Sequence, residues 1–224
     1  MKTKEKSFES SSKKRKKTEK RFKTIGLICR FKPLHNGAAS MLEAACENAE
    51  HVKIGIGSSN KYNIRNPFTA EESKDMVDAF LSEKYSNYSF HFILDFAHIP
   101  KYKDGQRWTK EIFKQFGFLD GFITMDTYVI ELLKKDYNII DPFSIITKKQ
   151  APVRGTAVRI EMAKKGDNWK QYVPEEVIDY LEKNKLVDRF RKEFGEQTLE
   201  LLNEKKDYNG ITDAKTEKDY TMMV

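Results

Sequence analysis

The side chains with the most evident chemistry stand in one short segment, residues 30–38, which is Arg-Phe-Lys-Pro-Leu-His-Asn-Gly-Ala. The segment follows an apolar run and leads directly into a helical pattern. A helix N-terminus presents free backbone N–H groups and the positive end of the helix dipole, and both favour an anion. His35 adds a hydrogen-bond donor, and Gly37 lets the backbone approach a ligand closely. The segment therefore predicts a phosphate-binding loop.

This loop belongs to neither of the two commonest nucleotide-binding types. The sequence contains no G-x-x-x-x-G-K-[ST] and no G-x-G-x-x-G. A P-loop and an ordinary dinucleotide-binding fingerprint are therefore excluded. Because Pro33 fixes its own backbone torsion, we expect a stiff turn before the helix.

The elements that must position the loop are β-strands that alternate with α-helices from Thr24 onward. This alternation is typical of an α/β fold with a Rossmann-like, doubly wound parallel sheet, here followed by C-terminal helices. In such a sheet, ligands bind at the carboxyl ends of the strands. Thr69 and Glu72 form a capping box, which predicts the start of the second helix. The predicted strands are 24–29, 52–57, 88–94, 121–124 and 144–147, and the predicted helices begin near residues 38, 69, 108, 128, 155 and 174.

The excess positive charge is confined to the N-terminal tail. The chain has 41 Lys and Arg residues against 34 acidic ones, but residues 1–23 hold 11 of the former and only 3 of the latter. We expect a disordered basic tail over residues 1–22, a folded domain over residues 23–204 and a flexible C-terminal tail over residues 205–224. Residues 13–23 leave three alternatives open: a weak contact with a nucleic-acid backbone, a nuclear address, or a solvated segment.

Two further observations concern the compartment. No stretch reaches the roughly 20 consecutive apolar residues of a membrane helix, and the Lys/Ser-rich N-terminus lacks the apolar core of a secretory signal. Cys29 and Cys46 have no neighbours at metal-ligand spacing, so we expect buried, reduced thiols and no metal site made of protein ligands. These features favour a cytoplasmic protein without membrane contact, or a nuclear one if the basic tail acts as an address.

Residues 26–37 resemble the first motif of the HIGH-type nucleotidyltransferases, and in detail that of the archaeal-type nicotinamide-mononucleotide adenylyltransferases. Further stretches agree with this family in order and spacing, and the matches together cover roughly residues 24–186. The resemblance implies that residues 23–204 form one nucleotidyltransferase-like domain. The further stretches are 55–59 (Gly-Ile-Gly-Ser-Ser), 64–70 (Ile-Arg-Asn-Pro-Phe-Thr-Ala), 154–159 (Arg-Gly-Thr-Ala-Val-Arg) and 166–169 (Gly-Asp-Asn-Trp), the last followed by Val173-Pro174.

The resemblance implies an enzyme that transfers the adenylyl group of ATP to nicotinamide mononucleotide (NMN) or nicotinate mononucleotide. The products would be the dinucleotide NAD and pyrophosphate, and no covalent enzyme intermediate would form. Such a transfer requires the protein mainly to position the substrates and to place positive charge around their phosphates. Magnesium (Mg2+) is the divalent ion expected to help neutralise those phosphates. Members of this family often assemble, so a homo-oligomer is expected.

The resemblance also implies roles for individual residues. His35 would contact the transferring phosphate, Arg30 and Arg65 the phosphates at the front of the site, and Arg159 the ATP tail. Trp108 is similar to the aromatic residue that stacks on the flat, cationic nicotinamide ring. Each of these side chains has an alternative in packing or surface pairing, but their joint appearance beside a phosphate loop favours the site. The candidate catalytic residues are His35, Arg30 and Arg159, and the candidate binding residues are Phe31, Gly37, Ala38, Ser58, Arg65, Trp108, Gly155 and Thr156.

Three places depart from the family pattern, one of them an insertion-like segment at residues 101–106 before Trp108. The second histidine of the first motif is Ala38 here, and loss of such a donor slows transfer chemistry by about 10²- to 10³-fold. Three alternatives follow: a nearby cation such as Lys32 or Lys61 takes over, the chain is a silent nucleotide-binding module tethered to polyanions by its tail, or Ala38 replaces a natural histidine. Residues 124–127 lack the Gly and Pro of the family's Ser-Gly-Asn-Pro loop, which leaves a phosphopantetheine-like or sugar-phosphate acceptor open.

Overall fold

A computed structural model describes residues 20–96, 103–146 and 153–204 of the chain. Five parallel strands form a sheet in the order β3-β2-β1-β4-β5. This order confirms the predicted doubly wound α/β sheet. The strands are β1 (Phe22–Cys29), β2 (Ala49–Ile56), β3 (Tyr88–Phe92), β4 (Gly121–Ile123) and β5 (Ile139–Ile140).

The strand order places the predicted phosphate loop at the switch point of the sheet. β1 pairs with β2 on one side and with β4 on the other, so successive crossovers leave β1 in opposite directions. The crevice that this reversal opens lies beyond the carboxyl end of β1. The loop after Cys29 therefore borders the place where doubly wound folds bind their ligands.

Eight α-helices surround the sheet within the described residues, and they confirm the predicted crossover helices and the C-terminal helices. Thr69 caps α2 as predicted: its side chain accepts from the backbone N of Glu72 at 3.1 Å, and the Glu72 carboxylate accepts from the backbone N of Thr69 at 2.8 Å. The helices are α1 (Asn36–Asn48), α2 (Ala70–Leu81), α3 (Lys103–Phe116), α4 (Thr127–Leu133), α5 (Gly155–Ala163), α6 (Glu175–Lys183), α7 (Leu186–Phe190) and α8 (Glu196–Glu204), with a π-helical turn at Arg191–Gly195 and 3-10 turns at Pro142–Ser144 and Asn168–Tyr172.

Each face of the sheet carries its own apolar cluster, as a parallel sheet with crossover helices requires. Ile25 and Leu27 of β1 belong to the larger cluster, together with residues of α1, α2, α5, α6 and α7. Ile28 packs on the opposite face against the smaller cluster, which α3 and α4 help to form. The smaller cluster consists of Ile93, Ile112, Phe116, Leu119, Phe122, Leu133 and Tyr137.

The predicted last strand, residues 144–147, is wrong. Residues 142–144 form a 3-10 turn, and Thr147 lies outside the described residues. The turn forms because the Asp141 carboxylate accepts a hydrogen bond from the backbone N of Phe143 at 2.9 Å, while Pro142 has no N–H to donate to a sheet. The fifth strand is Ile139–Ile140, which pairs with the end of β4.

At the N-terminus, β1 begins two residues before its predicted start, and the chain contacts the domain before the strand begins. Arg21 donates from its backbone N to the Asn48 carbonyl at 2.8 Å, and Lys20 Nζ donates to the Cys46 carbonyl at 2.7 Å. Residues 1–19 and 205–224 lie outside the described residues. The division of the chain at residues 22 and 204 stays a prediction.

Both cysteines are free thiols; Cys46 is buried as predicted, whereas Cys29 is partly exposed. Burial raises the pKa of Cys29 and of Cys46 to about 12, so neither thiol ionises near neutral pH. Among the helices of the described residues, none is both long enough and apolar enough to cross a membrane.

Candidate phosphate-binding site

The loop between β1 and α1 has a constrained backbone. Phe31 adopts the left-handed region with φ of 52°, and its side chain is buried in the larger apolar cluster. A residue other than glycine in this region stores strain that the surrounding contacts must offset. The buried ring of Phe31 anchors the loop, so the part of this residue that a ligand can meet is its backbone.

His35 is both the N-cap of α1 and the side chain expected at the transferring phosphate. Its Nδ1 accepts a hydrogen bond from the backbone N of Ala38 at 3.3 Å. Because Nδ1 is an acceptor, the single proton of the neutral ring lies on Nε2, which remains a donor. Burial, and then the nearby Arg159, lower the pKa of His35 to about 4. The imidazole is therefore neutral at pH 7 and presents Nε2–H.

A second helix N-terminus, that of α5, meets the first at this point. A Cβ atom added to Gly155 would lie 3.7 Å from His35 Cδ2, and one added to Gly37 would lie 3.4 Å from the Val153 carbonyl oxygen. The two helices thus begin side by side, and small residues line the gap. Because the first N–H groups of a helix have no partner within it, this gap collects backbone donors suited to an anion.

Arg159, in the first turns of α5, fastens that helix to the loop. Its Nη1 donates to the Lys32 carbonyl at 2.9 Å, and its Nη2 donates to Thr156 Oγ1 at 3.0 Å. The residue is only 8% exposed, so its positive charge is held in a poorly solvated position. Arg159 therefore adds fixed positive potential to the gap between the two helix N-termini.

Lys32 joins the loop to the segment after β2. The residue is 3% exposed, and its Nζ donates to the carbonyls of Ser58 at 2.9 Å and Lys61 at 3.4 Å. Ser58 is itself left-handed, with φ of 50°, which turns the chain back toward the ammonium group. Burial, followed by repulsion from Arg30, lowers the pKa of Lys32 to about 8. The ammonium is charged at neutral pH and fixes two loops together.

Arg30 and Arg65 also come together. Burial lowers the pKa of Arg30, and the Arg65 guanidinium lowers it further, while Asp95 acts in the opposite direction. Two cations that repel each other across a strand end are stabilised when an anion binds between them. The arrangement suits a polyphosphate.

The structure thus brings together most of the predicted site. One group lies around the two helix N-termini, and Lys32 joins it to a second group that extends through Arg30 to Arg65. Trp108 instead packs beside the smaller apolar cluster, and its stacking role stays a prediction. The residues of the first group are His35, Gly37, Ala38, Gly155, Thr156 and Arg159, and those of the second are Arg30, Ser58 and Arg65.

The chemistry of the donor set bears on metal binding. Within the described residues, no group of three or more His, Cys, Asp or Glu side chains is placed to hold a metal ion. The side chains around the gap are instead cationic or neutral donors. Such a set suits phosphate oxygens directly.

Sequence reasoning missed one part of the site, the dual role of Lys32. The sequence suggests Lys32 only as a substitute for the missing histidine, whereas its carbonyl receives Arg159 and its ammonium holds the Ser58 segment. A lysine inside an otherwise apolar, proline-containing turn is the signal that points to such burial.

Comparisons with known proteins give one consistent family. No protein-family model matches the chain. The chain is 30% identical over 155 residues to the nicotinamide-nucleotide adenylyltransferase of Methanocorpusculum labreanum, a match that covers 67% of this chain and 85% of the relative. It is 28% identical over 166 residues to the enzyme of the same name from Thermococcus sibiricus, covering 73% of this chain and 86% of that protein.

Solved structures agree on the fold. A bifunctional NMN adenylyltransferase/ADP-ribose pyrophosphatase from Francisella tularensis superposes with a TM-score of 0.63 at 20% identity, over 82% of this chain and 55% of that one. The same bifunctional protein in complex with AMP and a manganese ion gives a TM-score of 0.61, also at 20% identity, over 82% of this chain and 53% of that one. The chain therefore spans about half of that protein. None of these comparisons supports the silent nucleotide-binding module.

Proposed function

This chain belongs to the nicotinamide-nucleotide adenylyltransferase family, and on that premise we propose that it transfers the adenylyl group of ATP to NMN or nicotinate mononucleotide. The products are the dinucleotide and pyrophosphate. The observation that carries the proposal is the convergence of two helix N-termini, those of α1 and α5, around His35 Nε2–H and the Arg159 charge. That arrangement stabilises negative charge on a phosphate chain.

Each group in the gap has a part in the transfer. The phosphate of the mononucleotide attacks the α-phosphorus of ATP in line, and pyrophosphate leaves from the opposite side. His35 donates from Nε2 to an oxygen of the reacting phosphate, because its Nδ1 is engaged by Ala38. Arg159 and the backbone N–H groups of α5 hold the departing phosphates. The protein supplies position and charge, and no side chain acts as a nucleophile.

Ala38 limits the rate of this chemistry. The residue lies at the third position of α1, where its backbone N already serves His35, and its methyl side chain offers no donor. Two of the three N–H donors of Lys32 Nζ bind carbonyls, so at most one is left for a phosphate. We therefore expect slow turnover that a second donor would increase.

The divalent ion enters this scheme as part of the substrate. We propose magnesium bound to the ATP phosphates, because the described side chains around the gap are cationic or neutral donors that suit phosphate oxygens. When bound, the ion neutralises the departing pyrophosphate. The Francisella tularensis structure with AMP and manganese supports a divalent ion in this fold.

The remaining partners are also proposals. We propose that the protein is cytoplasmic, or nuclear through its basic tail, and that it forms a homo-oligomer.

Residues 13–23 would make a weak, salt-dependent contact with nucleic acid. Deletion of residues 1–19, which leaves Lys20 and its contact with α1 in place, tests this contact: binding to polyanions should disappear while ATP binding persists.

A pyrophosphate-release assay tests the proposed function. ATP with magnesium is supplied together with NMN, nicotinate mononucleotide, a sugar phosphate or phosphopantetheine. We expect release with a pyridine mononucleotide and formation of a dinucleotide. Release only with another acceptor would keep the reaction and correct the substrate. If neither this chain nor its Ala38→His variant released pyrophosphate with any acceptor, the proposal would be wrong.

A further inference from the structure

The loop that carries Arg65, residues 57–69, is held from two sides. On the side of the phosphate site, Lys32 Nζ binds the Ser58 and Lys61 carbonyls. On the opposite side the loop meets α7 and the π-helical turn that follows it. The first contact belongs to the site described above, whereas the second comes from a part of the chain to which no role has been given.

Arg189 of α7 makes the second contact. Its Nη1 lies 2.5 Å from Glu72 Oε1 and its Nη2 lies 2.7 Å from Glu72 Oε2, a two-pronged pair across 117 residues of sequence. The same Nη2 donates to the Pro67 carbonyl at 3.2 Å. Paired, planar bonds of this kind fix direction as well as distance. Since Glu72 also closes the capping box with Thr69, Arg189 holds the exact point where the loop enters α2.

The π-helical turn adds a third contact at the other end of the loop. The Tyr62 hydroxyl donates to the Glu193 carboxylate. The Tyr62 ring meets the Phe194 ring edge-on at 5.4 Å between centroids, and the Arg189 guanidinium lies 5.6 Å from the Tyr62 ring centroid. Turns of this type are rare and occur frequently at functional sites. Here the turn brings Glu193 and Phe194 onto Tyr62 together.

Arg65 stands between these anchored ends. Asn63 Oδ1 accepts hydrogen bonds from the backbone N of Arg65 at 3.0 Å and of Asn66 at 3.1 Å, which closes a tight turn. The turn is short, so its direction follows from Tyr62 on one side and Pro67 on the other. The exposed side chain of Arg65 is thereby aimed from a backbone that α7 and the π-helical turn hold in place.

We propose that Arg189 is a positioning residue for the transfer reaction: through Glu72 and Pro67 it sets the loop that presents Arg65 to the substrate phosphates. The inference rests on the proposed function for the identity of those phosphates. It assigns the C-terminal helices a part in substrate binding, in addition to their packing in the apolar cluster.

A double-mutant cycle tests this role. In the full chain, Arg189→Met is combined with Arg65→Ala, and the KM for each substrate, the kcat and the melting temperature are measured. We expect Arg189→Met to raise the same KM that Arg65→Ala raises, by about tenfold, with a smaller change in kcat. In the Arg65→Ala background the same change should raise that KM less than about twofold, because the residue it positions is gone. Arg189→Lys keeps the positive charge but loses the two-pronged geometry. Its KM should therefore lie between that of the unchanged chain and that of Arg189→Met.

Lys84→Met is the matched control. Lys84 is paired with Glu43 at 3.5 Å and Glu176 at 3.2 Å, so its loss also removes one positive charge and an ion pair between helices, but near the far end of α2. We expect no change in either KM. Equal effects of Arg189→Met in both backgrounds, or the same effect from Lys84→Met, would overturn the proposal.

Binding measurements separate this proposal from the proposed function. If this chain and its Ala38→His variant both released no pyrophosphate, the proposed function would fail. ATP and NMN can still be titrated into the four proteins of the double-mutant cycle: the unchanged chain, Arg189→Met, Arg65→Ala and the double variant. These titrations would measure the coupling between Arg189 and Arg65. Coupled losses of affinity would support the positioning role, and independent losses would overturn it.

Discussion

The two halves of the sheet differ in regularity, and we propose that the first serves phosphate chemistry and the second serves recognition of the acceptor. β1 and β2 have eight residues each and pair at seven positions, whereas β4 and β5 have three and two residues. The first half, with α5, carries the phosphate loop and the cations around it. The second half carries the 124–127 loop that departs from the family pattern. Changes in the first half should therefore act on ATP and turnover, and changes in the second on the acceptor.

The largest effect is expected from His35→Ser. Serine keeps an oxygen that caps α1, so the helix start is preserved, but it cannot reach a phosphate as the imidazole does. We expect kcat to fall by about 10²- to 10³-fold, with a drop in melting temperature of at most a few degrees. Pyrophosphate release and thermal unfolding check the two parts. An unchanged kcat would remove His35 from the chemistry.

Arg159→Ala should come next. Loss of the guanidinium removes its bonds to the Lys32 carbonyl and Thr156, and it removes the fixed charge beside α5. We expect ATP affinity to fall by roughly tenfold or more, together with a drop in melting temperature, because the lost bonds also tie α5 to the loop. Calorimetric titration of ATP measures this. Lys134→Ala, which removes a charge from the exposed pair with Glu131, is the control and should bind ATP normally.

Trp108→Ala tests the other half of the comparison. If the indole stacks on the acceptor's ring, the KM for NMN should rise about fivefold, the range of an exposed cation–π contact, while ATP affinity stays unchanged. Steady-state kinetics with each substrate varied in turn distinguishes the two. A rise in the KM for ATP alone would place Trp108 beside ATP and not beside the acceptor.

A further effect concerns the pH dependence of stability. The pKa of His35 is lowered from 6.5 to about 4, so between these values the unfolded chain binds more protons than the folded one. His35 therefore contributes a rise in the free energy of unfolding from pH 4 to pH 6.5, and little change above it. Urea titrations across this window should show a shallower rise in His35→Ser. An identical slope in the two proteins would contradict the neutral, buried imidazole.

The first half of the molecule is the part that sequence reasoning predicts well. The buried runs of β1 and β2 permit few alternatives, and Thr69 and Glu72 satisfy the capping rule directly. The helix after the loop is predicted to begin near residue 38, whereas α1 begins at Asn36, because His35 Nδ1 accepts from the backbone N of Ala38 and caps the helix there.

The second half shows why the rest is not predictable. Ile139–Ile140 is too short for any periodicity, and the choice between it and residues 144–147 depends on pairing with β4 and on the Asp141 turn. The roles of Lys32 and Arg189 depend on partners 26 to 127 residues away in sequence. Contacts at that separation follow from the folded arrangement and have no local signal.

The most direct test of adenylyl transfer at this loop compares the chain with its Ala38→His variant. Pyrophosphate release from ATP, magnesium and NMN is measured for both, and for the His35→Ser/Ala38→His double variant, with ATP titrations in parallel. We expect slow release from the chain, a rate about 10²-fold higher in Ala38→His, and loss of that gain in the double variant. ATP binding without release in both the chain and Ala38→His would contradict the assignment of adenylyl transfer to this site.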